Sequence, residues 1–256
     1  MVDTYILKID RNIGKDDFNN LLYCVSEEKK ERINRFYKYE DAQRTLLGDV
    51  LARYAICKRL GAKNGDLIFD TNEYGKPILQ EPTGINFNIS HSGDCVVCAV
   101  DNNAVGIDVE TIKPIDLKIA ERFFSKDEYL SLINRPEEAK LKYFYMLWTL
   151  KESYIKMEGK GLGIPLNSFT ISIQGNDISG SINDKVQECF FRLLIIDNTD
   201  VCSVCTQNNN INESIRWGKP EAFLKEVKNI VIRYNTKKVK KESVGKEQDF
   251  EVKVIC

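Results

Sequence analysis

One pattern constrains this chain more than any other, because it occurs twice: a long helical stretch closed by glycine, then short runs of alternating apolar residues. From Glu27 to Leu60 no proline interrupts, and Leu46, Val50, Tyr54 and Cys57 recur at helical spacing before Gly61 stops the helix. From Arg135 to Met157 a second apolar stripe, Leu147, Leu150, Tyr154 and Met157, ends at Gly159-Lys160-Gly161. After the first helix, Asn72 to Pro77 reads as a turn cluster. Ile85–Ser90 and Cys95–Val100 read as strands closed by Ser92-Gly93-Asp94. After the second, Phe169–Ile173, Cys189–Ile196 and Val201–Thr206 read as strands. CVVCAV after SGD resembles VCSVCT after NTD, so an internal duplication is expected, with helix followed by antiparallel strands occurring twice.

With 256 residues, 43% of them apolar, the chain can bury a sizeable core. Its 37 basic and 38 acidic residues leave a net charge of -1, which argues against nucleic acid or a membrane surface as the main partner. Any basic site must be local. Charges at Asp3, Lys8 and Asp10 interrupt the apolar run that a signal peptide needs, and no later stretch approaches spanning length, so a cytoplasmic protein is expected. Cys95/Cys98 and Cys202/Cys205 have the spacing used by zinc or redox pairs. They lie in alternating strand patterns, however, and are expected to be buried hydrophobes.

Val105-Gly106-Ile107-Asp108-Val109-Glu110 alternates strictly, so on a strand Gly106, Asp108 and Glu110 share one face. Two carboxylates at i and i+2 repel unless a cation or solvent separates them, and hard oxygen ligands suit magnesium. A solvated sheet edge is the alternative. On the second helix, Tyr145, Trp148, Glu152 and Lys156 share a face opposite the apolar stripe. Aromatic neighbours suggest a partly covered Glu152, and a covered acid needs a cation. A plain surface pair of Glu152 with Lys156 is the competing account.

Lys29, Arg32, Arg35, Lys38 and Arg44 form a basic cluster suited to phosphate, although mixed-charge runs such as EEKKER also occur on solvated helices. His91 is the sole histidine and sits with Ser90 where a strand enters a small-residue turn. It could meet a phosphate or merely cap the hairpin.

Taken together, RFYKYEDAQRTLLGDVLAR, EYGKP with FNISHSGD, VGIDVETIKP with RFFSKDEY, and LWTLKESYIKMEGKGL are similar, in order, to the 4′-phosphopantetheinyl transferases of the larger, surfactin-synthetase-activating type. The resemblance implies a pseudo-dimeric α+β fold with the active site between two similar halves. Residues 1–104 form the N-terminal half, on the coenzyme's phosphate and adenine side. Residues 105–234 form the half with the metal ligands, catalytic helix and carrier surface, and residues 235–256 are a charged tail without counterpart. It implies magnesium, with manganese tolerated, on Asp108, Glu110 and Glu152, and a water completing the metal's sphere beside Val109. Lys156 matches the residue on the pyrophosphate of coenzyme A. Lys29, Arg32, Arg44, Ser90 and His91 match the groups receiving the coenzyme's phosphates. Tyr74, Gly75, Lys76 and Pro77 match the adenine-side loop. Phe123 to Lys126 and the segment after Gly161 resemble the carrier-facing surface. Asn34 departs from relatives that carry a further base there.

The activity so implied moves 4′-phosphopantetheine from coenzyme A to a serine of apo acyl or peptidyl carrier proteins, with Glu152 and Lys156 as catalytic residues in a monomer. The alternatives are a non-catalytic coenzyme A- or carrier-binding module, and a magnesium-dependent phosphohydrolase with water as acceptor.

Overall fold

The computed structural model describes residues 1–175, 177–183, 185–212 and 214–228. The charged tail predicted for residues 235–256 lies outside them. The first half runs β1 (Asp3–Lys8), α1 (Lys15–Leu22), α2 (Glu27–Asn34), α3 (Tyr39–Leu60), β2 (Ile68–Thr71), β3 (Pro77–Glu81), β4 (Asn86–Ser92) and β5 (Cys95–Asp101). The second runs β6 (Val105–Thr111), α4 (Ile119–Phe123), α5 (Lys126–Ile133), α6 (Glu137–Glu158), β7 (Thr170–Gln174), β8 (Asp177–Ile182), β9 (Lys185–Val186), β10 (Phe190–Ile195) and β11 (Asp200–Thr206). β12 (Ile215–Trp217) and α7 (Pro220–Val227) follow.

The duplication suggested by two short strands extends to the whole layout. In each half a strand, a 22-residue helix and an antiparallel hairpin follow one another, and the hairpin's second strand lies at the centre of the sheet. β5 pairs antiparallel with β1 and β4, as β11 does with β6 and β10. α3 and α6 both end on a glycine in the left-handed region, Gly61 at φ 64° and Gly159 at φ 72°. α2 and α5 are each eight residues long and each capped by a serine, Ser26 and Ser125. The fold is a pseudo-dimer of α+β halves.

Three apolar clusters hold it together. One joins α3 to its sheet through Leu46, Val50, Tyr54 and Val96. A second joins α6 to its sheet through Leu150, Tyr154, Val201 and Cys205. The third lies between the sheets and consists of Ile6, Val97, Val105, Ile107, Val109 and Val204. This arrangement answers the cysteine question. Cys95 faces the inter-sheet cluster and Cys98 the α3 cluster, while Cys202 and Cys205 divide likewise, so neither pair can converge on one metal.

Two expectations differ from the structure. The stretch from Glu27 to Leu60 is two helices, broken between Arg35 and Lys38, where Lys38 takes an extended conformation. Only Ile33 of α2 is buried, so that short polar helix packs by one side chain and swings away from the axis of α3. In addition, residues 215–227 return to the first half: β12 pairs parallel with β1, and Trp217, Phe223, Leu224 and Val227 join the α3 cluster. Among the described residues no helix is long and apolar enough to cross a membrane.

Candidate active site at the seam of the two halves

The edge strands β4 and β6 meet at the seam, joined by side chains. Asn88 accepts a hydrogen bond from the Ile107 amide at 2.9 Å. Ser90 donates to Asp108 Oδ1 at 2.9 Å, and Ser92 donates to Glu110 Oε2 at 2.8 Å. Alternate serines on one strand thus face alternate carboxylates on the next, a direct result of the two-residue side-chain period. The Thr111 amide donates to Ser92 Oγ at 3.2 Å, which holds that hydroxyl in place.

Behind β6 stands α6, packed against it unusually closely. A Cβ at Gly106 would lie 2.0 Å from the Ser153 carbonyl oxygen and 2.4 Å from the Met157 amide nitrogen, so only glycine fits. This approach brings Glu152 and Lys156 to the same face as Asp108 and Glu110. Lys156 Nζ lies 2.6 Å from Asp108 Oδ1 and 2.9 Å from Ser90 Oγ. Trp148, one turn before Glu152, stacks on Phe144 at 5.7 Å and meets Phe123 edge-on at 5.8 Å, which covers that side.

The electrostatics fit a site that wants more positive charge. Burial, opposed by the Ser92 hydrogen bond, and then repulsion from Asp108 raise the Glu110 carboxyl above its ordinary range. Burial first, then Asp108 and, more weakly, Glu110, raise Glu152 against the pull of Lys156. Asp108 is buried and its Oδ2 has no hydrogen-bond partner. An orphaned buried carboxylate oxygen is a hard ligand of the kind that suits a divalent cation. Among the described residues no three acidic, histidine or cysteine side chains converge at metal-ligand spacing. Lys156 instead supplies the cation nearest Asp108.

The first half forms the opposite wall of a cleft of about 630 Å³. Lys29 and Arg32 from α2, and Ser90 and His91 from β4, line it together with Asp108, Glu110, Trp148, Glu152 and Lys156. The break between α2 and α3 matters here. On one straight helix Lys29 and Arg44 would stand about 22 Å apart, whereas the bend turns α2 back over the cleft. Lys29 Nζ lies 3.3 Å from Asp49. His91 is held below its usual range by desolvation and then by the charges of Arg44 and Lys156. Arg44 itself lines a neighbouring hollow with Arg11 and Glu40 rather than the cleft; it donates to the Gly93 carbonyl at 3.0 Å and pairs with Asp41, and its charge reaches His91.

An adjoining hollow of about 370 Å³ is lined by Tyr74, Gly75, Lys76 and Pro77 and shares Glu152 and Lys156 with the cleft. The Lys76 amine turns inward, donating to the Val105 and Met157 carbonyls at 3.3 Å each, and burial pushes its pKa down to about 8. Thr45, Gly48 and Asp49 line the cleft from α3 without having been expected from the sequence. They recur at i, i+3 and i+4 beside the buried Leu46, Leu47 and Val50, the local sign of a face that meets solvent or ligand. Ser92, which orients Glu110, was also missed.

Comparison with known proteins identifies the family. Residues 12–103 match the family model of the 4′-phosphopantetheinyl transferase N-terminal domain, and residues 104–205 match that of the 4′-phosphopantetheinyl transferase superfamily. The chain is 42% identical over 221 residues to 4′-phosphopantetheinyl transferase Sfp of Bacillus subtilis, an alignment covering 86% of this chain and 99% of that protein. It is 40% identical over 222 residues to 4′-phosphopantetheinyl transferase psf-1 of Bacillus pumilus, covering 86% of this chain and 95% of that one. To 4′-phosphopantetheinyl transferase gsp of Aneurinibacillus migulanus it is 44% identical over 171 residues, covering 67% and 71%.

Proposed function

The chain belongs to the 4′-phosphopantetheinyl transferases, and from that premise we propose that the seam cleft binds coenzyme A and a divalent cation and transfers phosphopantetheine to a carrier-protein serine. One observation carries the reading: crowded acids with an orphaned Asp108 oxygen on one wall, and Lys29, Arg32 and His91 on the other, inside a single cleft. The acids suit a cation and the bases suit phosphates. Both walls come from one chain, so one copy is complete. Among the described residues the cysteines are unpaired thiols, which suits a cytoplasmic setting.

Asp108, Glu110 and Glu152 are the residues that would hold magnesium, or manganese in its place. When bound, the ion supplies charge neutralisation on the pyrophosphate. Lys156 adds its own charge to the phosphoryl oxygens as the bridging P–O bond breaks, the kind of help a protein gives most in phosphoryl transfer. Lys29 and Arg32, with His91 and Arg44 near the rim, orient the nucleotide phosphates. Trp148 and the hairpin turn at Tyr74–Pro77 border the remaining sides. The carrier serine oxygen bonds to the β-phosphorus. Its proton passes to Glu152, directly or through a water, and the bond electrons leave with adenosine 3′,5′-bisphosphate. Phe123 to Lys126, with the segment after Gly161, is the surface proposed to meet the carrier.

Intact-mass analysis of apo peptidyl and acyl carrier domains, incubated with the protein, coenzyme A and magnesium, tests this directly. One added phosphopantetheine per carrier is expected. An unchanged carrier mass across the panel, or phosphopantetheine released without a carrier, would overturn it.

The same acids fix a pH dependence. Glu110 and Glu152 have folded-state pKa values above their unfolded ones, so the stability they contribute is present when they are protonated and is lost as pH rises through the folded values. Magnesium should therefore raise Tm clearly at neutral pH, and the gain should shrink as pH falls into the carboxylate range, where protons compete for the same oxygens. Thermal melts with magnesium or a chelator across that range measure it. An increment independent of pH would place the cation elsewhere.

A further inference from the structure

The turn between β2 and β3 is shaped and anchored by one side chain. Asn72 Oδ1 accepts from the amides of Tyr74 at 3.0 Å and Lys76 at 2.8 Å, which sets the turn's form. Its Nδ2 donates in the other direction, to the Gly159 carbonyl at 2.8 Å, just past the end of α6. Lys76 reinforces the join by reaching the Met157 carbonyl in the last turn of the same helix, where no helical partner exists. Glycine suits position 159 twice over: its φ is 72°, in the left-handed region, and a Cβ there would press on Asn72 Nδ2 at 3.2 Å and Lys76 Cδ at 3.1 Å.

The two elements so joined form two walls of the site. Gly75 and Pro77 of the turn line the cleft, and α6 carries Glu152 and Lys156 across from them. The spacing between those walls is set at the Asn72–Gly159 contact, outside the cleft itself. We propose that Asn72 is a positioning residue for the transfer reaction: it holds the turn on the coenzyme's nucleotide side in register with the catalytic helix. The proposal rests on the functional reading above, and neither the family match nor the acidic motif assigns Asn72 a role.

Two variants separate its two jobs. Asn72→Ala loses both. Asn72→Asp keeps the acceptor that shapes the turn and loses the donor that ties it to α6. Both should raise KM for coenzyme A by roughly five- to twentyfold, as expected for one or two lost hydrogen bonds, with kcat changed far less. Calorimetric affinity for coenzyme A, measured without carrier well below each variant's Tm, should weaken in parallel. Wild-type KM and affinity in both variants would overturn the proposal and leave Asn72 as a cap that affects only Tm. A wild-type KM in Asn72→Asp alone would also overturn it, since turn shape would then suffice. Absence of coenzyme A binding by the unaltered chain would overturn the functional reading itself, an outcome distinct from both.

Discussion

Glu152→Gln is expected to reduce phosphopantetheine transfer by roughly a thousandfold or more, the scale of losing a positioned base together with an acidic metal ligand. Coenzyme A binding through the basic wall should change only a few-fold. Glu152 is raised by burial and by Asp108, with Glu110 adding to the repulsion, so it sits in the folded protein at a cost that a cation or a proton relieves. A neutral amide of the same shape relieves that repulsion without accepting a proton. The metal-free variant should therefore melt no lower than wild type, and the magnesium increment in Tm should largely vanish. Rates with a saturating apo carrier, read beside melts with and without magnesium, distinguish this from general damage. A variant that is inactive because it is unfolded would fail the second measurement.

Gly106→Ala should be nearly as damaging, although it adds one methyl group to a residue with no chemistry of its own. The added carbon would stand 2.0 Å from one backbone atom of α6 and 2.4 Å from another, and neither can move without the helix. Overpacking of this kind destabilises by about 3 kcal/mol. A shift of about an ångström in Glu152 and Lys156 lowers transfer by around a hundredfold in the molecules that still fold. Gly180→Ala, in β8 away from the cleft, is the control. Its Cβ would meet only the Phe191 ring and the Ile171 methyl, at 3.4 to 3.5 Å, so a small effect is expected. Urea unfolding and transfer rates on both variants test the contrast. Equal, small effects would mean that β6 and α6 are less closely coupled than the structure has them.

Much of the architecture could be read along the chain because it is written in local periodicity. The strict alternation of Val105 to Glu110 and the helical stripe from Leu147 to Met157 placed the three acids and Lys156 on facing surfaces without any contact information. The glycines after both helices, at 61 and 159, marked their ends correctly. Long-range pairing was harder to read. The serine ladder of β4 against the acids of β6 joins residues 18 apart in sequence, through side chains alone. The return of residues 215–227 to β1 depends on Trp217 and Phe223 finding Tyr54, which no local pattern announces. The break at 35–38 was hidden by continuous helical propensity. α2 leaves the line because its polar surface has little to bury, and that depends on what it packs against. Lys76 shows a further limit. The resemblance implies an adenine-side role for it; in the structure its turn lines the hollow beside the cleft while its amine donates to the Val105 and Met157 carbonyls.

The central claim is that one divalent ion, coenzyme A and both halves of the chain meet at the seam. Anomalous diffraction from crystals grown with manganese and coenzyme A tests it most directly. A single strong peak beside Asp108, Glu110 and Glu152 is expected, with the coenzyme's pyrophosphate next to it and the nucleotide phosphates against Lys29 and Arg32. A peak away from those acids, or coenzyme bound with its pyrophosphate outside the seam cleft, would contradict it.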